Sequence, residues 1–327
     1  KKMTDYTKWN NYIAIDLGYG DCKIALKKED GTMMISKYPS AVAKVNPKRF
    51  GAGEAVEFEG DYYLIGEHAI NYKPVEMNDY ETLERYAPLL VFHAFRKYGE
   101  FDTIVTGLSI RQEDNSEDFK NRLSNFIIDN TEFNLDVKLL PQGIGAKIVA
   151  EKQFPDISNY LVCDGGFNTV DLVPVFDGKA DIHSVDALEN RGIIEVINEL
   201  IDYISGEYNI ELTPKEAKYA LDNQKIEIYG KEIDLSDEIA HITNEYSKDL
   251  VRQIERKFKK SWHKFQKVII VGGLSHFVDT SVYEHLVTVP KGEFYNSVGF
   301  FQFAEKKLSE SSESNTPKVT RRRVKNI

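Results

Sequence analysis

A chain of 327 residues is long enough for about two domains, each with its own core. Its 42% hydrophobic and 29% charged residues suit a soluble globular protein, and no apolar run approaches the roughly 18 residues of a membrane span. The net charge of −10 argues against direct nucleic-acid binding by the folded body. Cys22 and Cys163 lack zinc spacing and read as buried thiols rather than a disulfide. With no apolar signal core at the N-terminus, a cytoplasmic location is expected.

Residues 12–23 read Tyr-Ile-Ala-Ile-Asp-Leu-Gly-Tyr-Gly-Asp-Cys-Lys, an apolar strand running into Asp16 and a turn built on Gly18, Tyr19 and Gly20. A strand over 23–27 follows, then a turn at Asp30-Gly31 and a strand over 33–36. Residues 40–60 read as loop with one short strand, and 62–65 as a strand before Gly66. Helical spacing of Leu83, Tyr86, Leu90, Ala94 and Phe95 predicts a helix over 80–98 that stops at Gly99. A buried strand is expected at 101–105, an amphipathic helix at 117–129, and a strand at 137–140 leading through Pro141-Gln142-Gly143 into a helix to about residue 152.

The first stretch then returns. Residues 160–171 read Tyr-Leu-Val-Cys-Asp-Gly-Gly-Phe-Asn-Thr-Val-Asp, so strand, Asp164 and the glycines Gly165 and Gly166 repeat the earlier pattern about 150 residues on. Either copy alone would be an ordinary hairpin, because Gly and Asn supply the positive φ of a tight turn. Two copies suggest two like halves whose turns make facing anion nests, able to clamp a polyphosphate. Strands at 172–176 and 180–185 follow, then a helix after Gly192, another opened by Thr213-Pro214, and a long one capped by Ser236. A strand over 267–271 breaks at Gly272-Gly273, followed by Leu274. Residues 309–327, polar and then basic with Arg321-Arg322-Arg323, read as a disordered tail.

With these motifs in this order, the sequence resembles the actin, heat-shock chaperone and sugar kinase ATPase superfamily, most closely the ParM-type plasmid-segregation actins. Asp16-Leu-Gly-Tyr-Gly-Asp-Cys-Lys23 fits the Asp-x-Gly-x-Gly-x-Cys-Lys phosphate pattern, and Asp164 to Asp171 fits Asp-x-Gly-x-x-Thr-x-Asp. Tyr63-Leu-Ile-Gly-Glu67, Val105-Thr-Gly-Leu-Ser-Ile110, and Asn296 with Gly299 resemble further family segments. The resemblance implies an α/β fold of two RNase H-like domains around a nucleotide cleft. Domain I would span 1–155 with an inserted subdomain at 28–98, and domain II 156–308 with a helical subdomain at 206–258, residues 293–308 returning to domain I.

It also implies ATP, or GTP, with Mg²⁺ as cofactors. Asp16 and Asp164 would hold the metal largely through waters, and Gln142 would position the attacking water. Gly18, Tyr19, Gly20 and Lys23, with Gly165, Gly166, Phe167, Asn168 and Thr169, would hold the phosphates, while Gly272, Gly273 and Leu274 would border the adenosine. Phe167, Asn168 and Leu274 stand where many members carry glycine or small residues, and Ser109 replaces a proline. The implied function is an ATPase that assembles head to tail with copies of itself, acts with a DNA-binding adaptor protein in plasmid segregation, and touches no membrane. The alternatives are a small-molecule kinase of the same superfamily and a filament-to-membrane scaffold.

Overall fold

The computed structural model describes residues 11–28, 30–48 and 54–314, with side chains through Lys307. The first half contains strands β1 (Tyr12–Leu17), β2 (Asp21–Lys27), β3 (Met33–Pro39), β4 (Val42–Val45), β5 (Val56–Phe58) and β6 (Asp61–Ile65), then helix α1 (Tyr80–Tyr98) and β7 (Thr103–Leu108). It continues with α2 (Ser116–Ser124), β8 (Asn125–Ile128), β9 (Thr131–Asn134), β10 (Asp136–Pro141) and α3 (Ile144–Gln153). The second half holds β11 (Tyr160–Gly165), β12 (Thr169–Phe176), β13 (Lys179–Ala180), β14 (Asp186–Glu189), α4 (Ile193–Tyr208) and α5 (Pro214–Asn223). After these come β15 (Lys225–Ile228), β16 (Lys231–Asp234), α6 (Ser236–Lys257), β17 (Lys267–Val271), β18 (Leu286–Thr288) and α7 (Tyr295–Ser314).

Two sheets repeat one topology. The first has the order β10-β7-β1-β2-β3, with β1, β7 and β10 parallel and the β1–β2–β3 edge antiparallel. The second runs β13-β12-β11-β17-β18, again parallel through β11, β17 and β18 and antiparallel from β11 to β12. Their central strands are buried on both faces, as strands covered by helices must be, so β1 and β11 read as continuous apolar runs. Both runs end in an aspartate at the carboxyl end of a parallel strand, where α/β sheets place their ligands.

Local chemistry accounts for most element ends. Asp79 accepts the Thr82 N–H at 2.7 Å to start α1, and Gly99 at φ 97° ends it. Thr213 and Glu216 form a capping box with Pro214 at the first position of α5. Three expectations change. The helix foreseen at 117–129 stops at Ser124, because Asp129 and Asn130 both take positive φ and turn a β8–β9 hairpin with Phe126, Ile128 and Phe133 buried. The strand foreseen at 180–185 reduces to β13, since the chain turns at Asp181 and β14 takes over the pairing with β12. Ser236 is not the cap of α6; Asp234 accepts the Ser236 N–H at 2.8 Å instead. The apolar periodicity could not reveal the β8–β9 hairpin or the antiparallel β15–β16 pair, which run only four residues a strand.

Helix α7 continues to Ser314, so the polar stretch from 309 to 314 is helical; the rest of the tail foreseen as disordered lies outside the described residues. Helices α3 and α7 cross at two glycines, where a Cβ on Gly299 would stand 1.9 Å from the Gly145 carbonyl oxygen. Because backbone cannot yield there, Gly299→Ala should lower stability by about 3 kcal/mol, read as a fall in urea midpoint at unchanged slope.

Candidate nucleotide cleft

Between the two sheets lies a cleft of about 1140 Å³. The β1–β2 and β11–β12 turns form two of its walls, and register makes them equivalents: Asp16 pairs with Lys23 across one hairpin, and Asp164 with Asp171 across the other. Asp16 is 5% exposed, Asp164 8% and Asp171 2%. Gln142 Nε2 donates to Asp16 Oδ1 at 3.1 Å, and Lys23 Nζ lies 4.0 Å from Asp16 Oδ2. Lys23 also sits beneath the first turn, its ammonium 3.1 Å from where a Gly18 Cβ would stand. Ser40 closes that turn from behind, donating to the Gly18 carbonyl while its N–H bonds Gly20.

The second turn is braced differently. The first N–H groups of α4 bond back to it, Ile193 to the Gly166 carbonyl and Ile194 to that of Phe167, while Gly192 bonds Asn168. A Cβ on Gly192 would lie 2.4 Å from the Phe167 oxygen, so this glycine serves close packing of helix on turn. Gly272, at φ 76°, packs as closely on the Gly165 carbonyl. The two turns meet at their tips: Phe167 lies 3.7 Å from where a Gly20 Cβ would be, and Asn168 Nδ2 donates to the Asn78 carbonyl at 2.9 Å. That contact gives the bulky Phe167-Asn168 pair a place.

Of the residues singled out from sequence, Asp16, Gly18, Tyr19, Gly20, Lys23, Gln142, Asp164, Gly165, Gly166, Phe167, Thr169, Gly272 and Gly273 all line the cleft. Two do not. Leu274 is fully buried, its Cβ 2.3 Å from where a Gly165 Cβ would lie, and fills the core under the second turn. Asn168 spends its amide on the bridge to Asn78.

Four residues of the site were given no role in it from sequence. Asp171 was legible, because it stands seven residues after Asp164 as Lys23 does after Asp16. Ser109 donates to Asp171 Oδ1 at 2.6 Å from the other half, a bond that a proline at this position could not make. Asn296 donates to Asp164 Oδ2 and accepts from the N–H groups of Gly143 at 3.0 Å and Ala146 at 3.1 Å. Arg111 adds a second tie between the halves through Glu189.

Comparisons with known proteins agree with this architecture. A family model for the N-terminal domain of actin-like proteins matches residues 14–145, and one for the C-terminal part of archaeal MreB-like actin homologues matches 162–284. The chain belongs to the actin-like superfamily. Its fold is similar to that of Ta0583, an archaeal actin homologue, with a TM-score of 0.73 at 20% identity over 90% of this chain and 99% of that one. A 15-stranded ParM filament from Clostridium botulinum gives 0.71 at 19% identity over 92% and 99%, and the actin-like protein Alp7A 0.68 at 16% over 93% and 98%. Ta0583 in complex with ADP gives 0.70 at 18% identity over 90% and 99%. No curated protein sequence matches the chain.

This actin-like cleft gathers charge that it does not itself neutralise. Burial pushes the Asp164 carboxyl up to about 7, and repulsion by Asp16 and Asp171 adds to it. Burial likewise raises Asp171 to about 6, against the Ser109 bond, and raises Asp16 against the pull of Lys23. Lys23 itself is held charged: burial would lower its pKa, but Asp16, Asp21 and Asp164 together raise it. A carboxyl raised on folding binds its proton more tightly in the native state, so its contribution to stability falls as pH rises from the unfolded value near 4 to about 7 and is flat beyond. Asp164→Asn should therefore raise the melting temperature of the ligand-free protein at pH 7.5 by ~2 °C or more and flatten its fall between pH 5 and 7. Thermal melts across that range check this.

Proposed function

We propose that this chain is an ATPase that binds ATP with Mg²⁺ between its two halves and assembles head to tail into filaments. The observation that carries the reading is the facing pair of Asp–glycine turns, joined by Gln142 on Asp16 and by Lys23 beneath the first turn. Turns of this kind direct successive backbone N–H groups into a concavity, the chemistry that phosphate oxygens require.

The donor set suits a magnesium ion. Two buried carboxylates repel each other, and a divalent cation would relieve that repulsion. Among the described residues no group of three or more acidic, His or Cys side chains could hold a metal alone. Asp16 and Asp164 would thus hold it through waters and phosphate oxygens, as an ion reluctant to lose its hydration prefers. When bound, the ion would offset charge on the β- and γ-phosphates.

The remaining roles fall to the chain itself. Lys23 supplies a fixed positive charge to the phosphates, and Gln142, held by Asp16, orients the attacking water. Asp171 is engaged by Ser109 and so is poorly placed as the free base a kinase would need toward a substrate hydroxyl. The backbone around Gly272 and Gly273 would border the nucleoside. Among the described residues no helix is long and apolar enough to cross a membrane. Solved relatives include a ParM filament and an ADP complex, which supports assembly and adenine nucleotides for this chain too. The biological reading is plasmid segregation in the cytoplasm through a DNA-binding adaptor.

Gln142→Ala should cut the rate of phosphate release from ATP by about 10²-fold while leaving nucleotide affinity within about threefold. Lys23→Ala should instead weaken ATP binding about tenfold or more. Steady-state kinetics with fluorescent-nucleotide titration separate the two. A wild-type chain that neither hydrolyses ATP nor pellets with ATP and Mg²⁺ would overturn the reading.

A further inference from the structure

Charge is distributed very unevenly along α6. Residues 202–238, which lead up to and begin this helix, hold ten Asp or Glu against four Lys or Arg. Residues 252–267, its last turns and the link to β17, hold seven Lys or Arg against one Glu. A helix of 22 residues separates these groups by about 33 Å.

The acidic end is assembled from several elements. Leu235 N–H bonds the Gln224 carbonyl, which fixes the base of the β15–β16 hairpin at the start of α6. Glu238 lies near Glu207 around Tyr203, whose hydroxyl both carboxylates affect. Glu207, Glu227 and Asp237 are exposed. At the hairpin tip Tyr229 is 92% exposed, an aromatic ring with nothing packed on it.

The basic end is a knuckle packed on aromatic rings. Phe258 and Phe265 are buried and meet edge to face at 5.8 Å, and Trp262 stacks on Tyr283 at 5.2 Å. Arg252, Arg256, Lys259, Lys260 and Lys264 project from it, exposed and with no salt-bridge partner among the described residues; only Lys257 is paired, with Asp186.

The helix dipole favours acids in the first turn and bases in the last, which accounts for Asp237, Glu238 and Lys257. That effect fades within a turn and does not reach Lys264, Glu207 or Glu227. Clustered like charges repel, and folding gains nothing from them. Among the exposed large apolar side chains none lies in the knuckle, whereas Tyr229 lies at the other end. A cationic surface without an apolar anchor fits an acidic surface that carries an aromatic one, because a ring binds ammonium and guanidinium groups on its face.

We infer that the basic knuckle at residues 252–267 docks on the acidic β15–β16 end of a second copy of this chain. The contact is heterologous: opposite ends of one helix meet, so each copy keeps a free end of either sign and the series stays open. It rests on the filament reading and names the surfaces that would carry it.

The test uses two full-length charge reversals outside the cleft lining, Lys259→Glu with Lys260→Glu, and Glu207→Lys with Glu227→Lys, each checked for unchanged thermal melting and ATP binding. Each alone should raise the critical concentration for pelleting with ATP and Mg²⁺ about tenfold or more. An equimolar mixture should regain assembly, because each altered end then faces its complement. Wild-type assembly should also weaken as salt rises from about 0.05 to 0.5 M. Reversals that leave the critical concentration unchanged, or a mixture no better than either alone, would overturn the inference while the filament reading stands. Failure of the wild-type chain to pellet at any salt would overturn both. A labelled DNA duplex retained by the wild type and lost with Lys259→Glu and Lys260→Glu, at unaltered assembly, would assign the knuckle to a polyanion instead.

Discussion

The side-chain amide of Asn296 is the point on which the two halves depend. Its oxygen accepts two N–H groups at the start of α3 and its nitrogen reaches the Asp164 carboxylate, so one residue of α7 joins a helix following the first sheet to the central strand of the second. The amide is suited to this, offering an acceptor and a donor on adjacent atoms. It can approach only because α3 and α7 cross at Gly145 and Gly299 with no side chain between them. The cleft floor is therefore built from backbone contact and one buried amide, and the charged walls above it inherit their spacing from that junction.

The electrostatics follow. Two buried carboxylates, Asp16 and Asp164, share Lys23, while Asp171 has the Ser109 bond and the charge of Arg111; burial still raises all three, an arrangement that costs stability in the ligand-free chain. Binding sites tolerate such costs because a ligand of the opposite charge offsets them. Ser109 and Gln142 lessen the cost at Asp171 and Asp16 without removing the negative charge.

The repeated hairpins were legible in the sequence because each is local: a strand, an aspartate and a turn occupy a dozen consecutive residues. Their pairing in space followed from the repeat. Long helices such as α1 and α4 were equally plain, since apolar spacing persists over several turns. What escaped was either short or distant. Four-residue strands such as β8 and β15 carry too few alternations to register. Ser109 and Asn296 act on partners 62 and 132 residues away, which no local pattern encodes. Leu274 illustrates the opposite failure: its neighbours Gly272 and Gly273 line the cleft, but one step further the 3₁₀ turn points its side chain into the core.

Phe167 against Gly20, Asn168 on the Asn78 carbonyl, and Lys215 on the carbonyl of Ile70 at 3.3 Å all cross from one half to the other around the mouth of the cleft. The spacing of the two turns is therefore tied to contacts that lie apart from the buried carboxylates. Whatever strengthens or loosens those contacts from outside acts on that spacing without touching the charged groups within.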